Sequence, residues 1–492
     1  MNRTDRNRYI CVAITALIQG VLLGIYALAT SGLPALAQMR INFPRFIVFM
    51  PLSVIFLVPF VFWLSQEHWG RRLWNLLAGL TAVLLALWLY RLWSYGSFDV
   101  TPPQKSDLVR ISMAVFLIVP YFQCRIASWS WKIPYSEIFF QLCRNLFLLF
   151  QASIVIAVFW GLLITAGLLF DIVGLHIVPL IIITPVCAVP LTSIIIAVSI
   201  SVAIKHPGID SLGRWLLSVL AWLLPFFSLL SLAFIVCLFW GGTSSLNALW
   251  NTGQASTLML LLQAGTIILA NAAWLDGAKS IFRTRSIDIL AQVSLLCLPV
   301  YTVLCLYSLS LRISQYGLTT DRVQAVFLVL TTGIWGIAYA GTVIARNWPV
   351  SIGRVNMVCV IFMASLVVLM NSPVLDPLRL SANDQVSRLQ TGKVRPEDFD
   401  YAYLASLGRY GKESIETLNS HKSPGKFQTE LEYENMRFIF TPTRVIIQSQ
   451  DKSLIGTIYG YFPLSESHSV KAVPVPPDYE IDGNLYRPEY AE

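Results

Sequence analysis

Eleven runs of about twenty apolar residues recur along the first three quarters of the chain, and no other feature limits its fold so sharply. A helix needs a run of that length to cross about 30 Å of hydrocarbon, where a backbone amide without an internal partner finds no water to bond. The runs fall at 9–29, 44–64, 73–93, 109–127, 146–170, 177–204, 215–240, 254–275, 287–311, 323–345 and 355–375. Composition agrees: 56% of the 492 residues are hydrophobic and 13% charged, against roughly 25% charged in an average soluble protein. The expected fold is mainly α, a polytopic transmembrane helix bundle of about eleven helices over residues 1–375. The first run follows Arg3, Arg6 and Arg8 and shows no small-residue cleavage site, so it is expected to remain as a helix.

The placement of Lys and Arg sets an expected orientation, because basic loops stay cytoplasmic. With the N-terminus inside, the cytoplasmic loops carry fifteen basic residues, among them Arg71, Arg72, Arg125, Lys132 and Arg144. The opposite loops carry seven, among them Arg91, Arg312 and Arg322. An odd number of crossings then puts residues 376–492 in the periplasm of a bacterial inner membrane. The net charge of +8 divides in the same way: 22 basic and 10 acidic residues precede position 376, and 13 basic and 17 acidic follow. The excess is a topology signal, and no basic patch interleaved with aromatics points to nucleic acid. The eight cysteines lie in or beside the apolar runs, without CxxC or metal-ligand spacing; no cofactor or metal site is expected.

Residues 376–492 change character, and a small C-terminal α+β extramembrane domain is expected there. Residues 376–420 read as helical. Ser381 is placed to cap a first helix that ends at Gly392, and Pro396, Glu397 and Asp398 open a second. Phe399, Tyr403 and Leu407 are spaced by four and share a face of that second helix. Residues 426–465 are rich in β-branched and aromatic residues and read as short strands, while 466–492 reads as an extended tail.

Two stretches, "RISQYGLTTDRV" (312–323) and "DPLRLSANDQVSRLQTGKVRPEDFDYAYLASLGRYGKESIETL" (376–418), resemble the bacterial multi-pass membrane proteins grouped as the DUF4153 family. The resemblance implies an inner-membrane, many-helix protein with a conspicuous outer loop and a helical segment after the last span. It carries no catalytic or binding residue, because the family label records unknown function.

Two groups of residues are candidates for a ligand or lipid. In the outer loop, Arg312 and Arg322 flank a Gly-Leu turn and suit a headgroup or phosphate; the alternative is that Tyr316 anchors at the interface while Thr320 and Asp321 cap the next helix. In the sixth run, Pro179, Pro185 and Pro190 interrupt one span, and broken helices often line transport sites, with Thr184 beside them. The alternative there is a kinked packing helix whose freed carbonyls are met by Ser and Thr. Asn271, Gln263 and Gln151 are the amides left to line a lipid or facilitative route. Arg379, Phe399, Tyr403, Arg409 and Tyr410 are candidates for docking the tail, with Arg409 and Tyr410 aimed at the membrane surface or the "RISQYGLT" loop.

For catalysis the tail offers Asp398, Asp400, His421 and His468, with no Gly-x-Ser-x-Gly elbow, phosphate loop or HExxH, and acids on a first helical turn are more often capping charge. No catalytic residue is therefore assigned. The expected role is a non-enzymatic envelope component whose tail packs on the bundle or meets membrane lipids or a protein partner in the periplasm or membrane. A transporter or lipid-translocating permease using the sixth helix is the second reading, and a membrane-embedded transferase the third.

Overall fold

The computed structural model describes residues 3–30, 50–95, 104–172, 184–206, 208–242, 255–274, 285–348, 350–395 and 398–420, with strand segments at 429–433, 436–441, 444–449, 454–459, 479–481 and 484–486. The expectations for Pro179, Pro396, Glu397, His421 and His468 lie outside the described residues.

Eleven helices carry the apolar runs: α1 (Arg3–Thr30), α2 (Leu52–Ser65), α3 (Arg71–Tyr95), α4 (Gln104–Ser128), α5 (Tyr135–Ile172), α6 (Pro185–Ala203), α7 (Gly208–Trp240), α8 (Ala255–Trp274), α9 (Arg285–Tyr316), α10 (Thr320–Ile344) and α11 (Ile352–Met370). Ten of them are long and apolar enough to cross a membrane, and the chain is a multi-pass membrane protein. The exception is α2, expected over 44–64. Its 14 residues rise only about 21 Å, because Pro51 precedes its first turn and a tight 3-10 turn, Gln66–His68, follows its last. Several helices outrun their apolar stretches. α5 begins eleven residues before its run, and the added turns carry Gln141, Arg144 and Asn145.

The chain divides into two compact units. The first comprises Met1–Tyr90, Thr101–Leu311 and Ala325–Ser372. Its tightest helix contact is between α1 and α6: Cβ atoms added at Gly20 and Gly24 would lie 2.3 Å from the Cα of Pro190 and 3.0 Å from the carbonyl of Pro185. Lipid gives no hydrophobic drive for helices to associate, so close backbone approach through small residues supplies the contact energy. Buried amides and hydroxyls join other helices. Gln123 Nε2 donates to Ser65 Oγ at 3.1 Å, Asn145 Nδ2 to Gln123 Oε1 at 2.8 Å, and Gln66 Nε2 to Ser201 Oγ at 2.9 Å.

The second unit gathers Arg91–Val100, Arg312–Gln324 and Pro373–Glu492. It contains α12 (Pro377–Gln390), α13 (Tyr401–Ser406) and α14 (Gly408–Ser420). An apolar cluster of Tyr95, Leu378, Ala382, Phe399, Tyr401, Leu404, Leu407 and Ile415 forms its helical core. Beyond α14, β1 (Thr429–Tyr433), β2 (Met436–Thr441), β3 (Arg444–Ser449) and β4 (Leu454–Tyr459) pair antiparallel in chain order, with Thr429 opposite Phe440 and Met436 opposite Ser449. Within the segment expected to be extended, β5 (Tyr479–Ile481) and β6 (Asn484–Tyr486) also pair antiparallel.

Candidate functional site

The residues singled out by the outer loop and the tail meet inside the second unit. α12 does not start from a Ser381 cap. Asp376 is its cap: Pro377, which has no N–H to lose, takes the first helical position, and Asp376 Oδ1 accepts from the Leu378 amide at 3.0 Å. The same oxygen accepts from Arg91 Nη1 at 2.9 Å. Asp376 is wholly buried and Arg91 nearly so, which makes this a buried, charge-assisted pair.

Ser381 instead lies in the second turn of α12, facing the turn between α9 and α10. Its hydroxyl donates to the Leu318 carbonyl at 2.8 Å. One turn later Asp384 Oδ2 accepts from the Leu318 amide at 2.7 Å. Arg388, a turn further on, donates from Nη1 to the carbonyls of Ile313 and Ser314 and from Nη2 to that of Gln315, at 3.1 to 3.2 Å. Those carbonyls lie in the last turn of α9, where that of Ile313 also accepts from the Gly317 amide at 2.8 Å, so a guanidinium from another helix joins the cap where the macrodipole is negative. The spacing 381, 384, 388 is a helical stripe, and it grips one turn of chain.

Gly317 makes that grip fit. It adopts a left-handed φ of +78°, and a Cβ there would stand 2.6 Å from Gln385 Nε2. Thr320 and Asp321 do not supply the cap of α10. Thr319 occupies the cap position, its carbonyl accepting from the Val323 amide at 2.9 Å. The Thr320 amide, one of the orphan donors of that helix end, donates 3.0 Å to the hydroxyl of Tyr403, which also bonds Ser381 Oγ at 3.0 Å.

α13 begins at Tyr401 rather than near Pro396, because Asp400 caps it by accepting from the Tyr403 amide at 2.7 Å. Phe399 precedes the helix and is buried edge-on against Tyr401 at 4.8 Å. Arg409 and Tyr410 meet Trp93: the Arg409 guanidinium lies 4.6 Å over the indole, and Tyr410 meets it edge-on at 6.2 Å. Tyr403 makes the loop contact. Gly408 permits this turn, with φ at +65° and a Cβ position only 2.9 Å from the Ser94 carbonyl.

Arg322 Nη1 donates to the Gly317 carbonyl at 2.6 Å, and its guanidinium sits 5.4 Å over the exposed ring of Tyr316. Arg312 is half-buried in the last turns of α9. Arg379 bonds the Val374 carbonyl at 3.1 Å beside its own helix start. Asp398 pairs with Arg395 at 2.9 Å on the surface. Among the described residues, no group of three His, Cys, Asp or Glu side chains is placed to hold a metal ion.

In the first unit, Pro185 is the first residue of α6, and Thr184 precedes it in extended backbone. Pro190 is covered by Gly20. Thr192 donates back to the Ala188 carbonyl at 2.8 Å and accepts from Trp160 Nε1 at 3.2 Å, the bonding of a packed helix. A pocket of about 300 Å³ lies between α2 and α4, lined by Phe56, Phe60, Val61, Ser112, Met113 and Phe116 among others. The three amides close on protein partners: Gln151 accepts from Ser199, Gln263 donates to Thr302 at 2.6 Å, and Asn271 donates to Tyr339 at 2.9 Å.

Asn271 belongs to a network that single-sequence reasoning missed. Asn356 is its hub. It donates to Tyr135 at 2.7 Å and to Asn271 at 2.6 Å, and accepts from Trp335 at 2.8 Å and Tyr339 at 2.5 Å. The available signal was a lone amide inside an apolar run, "RVNMVCVIF", where an unpaired amide is costly and therefore implies partners.

Ten helices of spanning length among the described residues, and three side chains of α12 bonded to the turn between α9 and α10, define a polytopic membrane protein with a structured segment after α11. The chain belongs to the DUF4153 family, described as a domain of unknown function, whose model matches residues 104–418. That match takes in the 312–324 turn and α12 to α14, and ends before the strand segments. No curated protein and no solved structure matches the chain.

Proposed function

We propose that this is a bacterial inner-membrane protein acting as a non-enzymatic component of the envelope, with its N-terminus in the cytoplasm and residues 376–492 forming a periplasmic α+β domain. The distribution of Lys and Arg supports the orientation, which counts α2, whose apolar run starts at residue 44 in the sequence, as an eleventh crossing beside the ten longer helices. The observation that carries the functional reading is the mutual bonding of the turn at 317–320 with Ser381, Asp384, Arg388 and Tyr403. Side chains with the chemistry to bind or catalyse are turned toward one another, holding the helical part of the tail as a fixed base. On this reading the strand segments beyond it, outside the stretch matched by the family, meet a partner or lipid in the periplasm.

Reporter fusions after residue 376 should be active as periplasmic fusions; cytoplasmic activity there would overturn the orientation. Photocrosslinking residues placed along 429–459 in living cells should capture a defined partner or lipid, and should lose it when Arg388→Ala loosens the base. Hydrolytic or transfer activity of the purified chain that disappears with Asp398→Asn or Asp400→Asn would replace this reading with an enzymatic one.

A further inference from the structure

The segment that joins α4 to α5, "RIASWSWKIP" (125–134), sets two tryptophans beside two basic residues. Trp129 and Trp131 stand 64% and 70% exposed directly after a spanning helix. Trp129 adopts φ of +57°, a left-handed conformation that costs a bulky side chain about 1–2 kcal/mol and calls for an explanation.

That conformation places the indole under two guanidinium groups. Arg72, from the start of α3, lies 3.8 Å from the ring centroid, and Arg125, from the end of α4, lies 5.1 Å from the same centroid and 4.3 Å from that of Trp131. The two cations are therefore no more than about 9 Å apart. Arg72 Nη1 is steadied by the Ile126 carbonyl at 3.1 Å, and Lys132 extends the positive edge. Among the described residues neither Arg72 nor Arg125 is in ion-pair distance of a carboxylate, and the buried Nε of Arg125 meets no acceptor. The acids nearby are Glu67, engaged bidentately by Arg144, and Glu137 on the first turn of α5.

Cation–π contact offsets part of the cost of crowding like charges, but a ring face takes up none of the guanidinium N–H donors. We propose that this shelf is a binding site for the phosphate of an anionic phospholipid, held by Arg72 and Arg125 with the two indoles at headgroup depth. Charge complementarity and planar donor geometry favour phosphate. A lipid is the occupant because the shelf lies where two apolar spanning-length helices, α4 and α5, end and begin beside the start of α3, and exposed tryptophans at such helix ends suit headgroup depth.

Native mass spectrometry of the full chain released from phosphatidylcholine nanodiscs doped with phosphatidylglycerol should find phosphatidylglycerol retained preferentially. Each basic side chain near an anionic surface contributes about fivefold, so R72Q/R125Q should weaken that preference roughly tenfold or more, while R354Q leaves it intact. Equal retention of both lipids by the unaltered chain, or an undiminished preference in the double variant, would refute the site. Release of the lipid by millimolar inorganic phosphate would reassign it to a soluble anion. Should the double variant fail to fold, a phosphatidylglycerol with a photoactivatable headgroup must label the peptide around Trp129 and Trp131 in the unaltered chain; labelling only elsewhere rejects the proposal.

Discussion

Arg91 and Asp376 stand 285 positions apart in the chain and 2.9 Å apart in the structure, with Asp376 buried completely. Removing one partner of such a pair strands a charge away from water, at about 3–5 kcal/mol, whereas removing both takes the desolvation penalty away with the attraction. Asp376→Asn, which keeps the cap on Leu378, should lower the melting temperature of the detergent-solubilised protein markedly. Arg91→Met combined with Asp376→Asn should recover much of the loss, and a double variant no better than the sum of the singles would show that the pair is not coupled.

Gly408 and Gly392 separate two costs of a side chain. Both hold left-handed φ angles, +65° and +72°, but nothing lies within 4 Å of a Cβ at Gly392, while the backbone of Ser94 and Tyr95 lies within 3.0 Å of one at Gly408. Gly392→Ala should cost about 1 kcal/mol, the conformational penalty alone. Gly408→Ala should cost about 1–3 kcal/mol more through overpacking. Thermal unfolding of the two variants side by side measures the difference, and equal losses would mean that the turn moves away from residues 94–95 at little cost.

Tyr403→Phe removes one oxygen and leaves the Thr320 amide, at the start of α10, without its acceptor. The loss should be about 1–3 kcal/mol, since an unmet donor is dearer than a missing bond between exposed groups. Hydrogen exchange should quicken at residues 318–322 and remain unchanged in α5; an unaltered rate at Thr320 would argue against the bond.

Gly20→Val should disrupt the packing of α1 on α6, because the added carbon begins 2.3 Å from the Cα of Pro190 and a backbone cannot rotate aside. Gly79→Val, on an open face of α3, is the matched control with nothing within 4 Å. Size-exclusion profiles of tagged variants should show loss of monodisperse protein for the first and little change for the second.

The helices were legible because hydrocarbon leaves the backbone one solution, and run length reports it directly. Their lengths were less legible: α5 runs eleven residues ahead of its apolar stretch because Arg144 and Asn145 find partners in neighbouring helices and turns, which hydropathy alone does not report. The stripe Ser381, Asp384, Arg388 lay open in the sequence at helical spacing, yet what it grips was hidden, because nothing local says that Leu318 lies opposite. Ser381 illustrates the difficulty. Serine near a helix start suits a cap, but Asp376 before Pro377 suits it better, which freed Ser381 for a contact 63 positions away. Asn356 was hidden for the same reason: its four partners come from three other helices, and only the fold assembles them.

The seam between Gly20 and Pro190 also bears on how the protein is made. Translation delivers α1 to the bilayer some 170 residues before α6 exists, so the first helix waits with its glycine notch open to lipid or to whatever insertion machinery shelters it. α2 can meet α1 early, through Trp63 Nε1 donating to Thr15 Oγ1, but the glycine face must wait for α6, and a chain stalled before residue 185 would leave a helix in the bilayer with the imprint of a partner that never arrives.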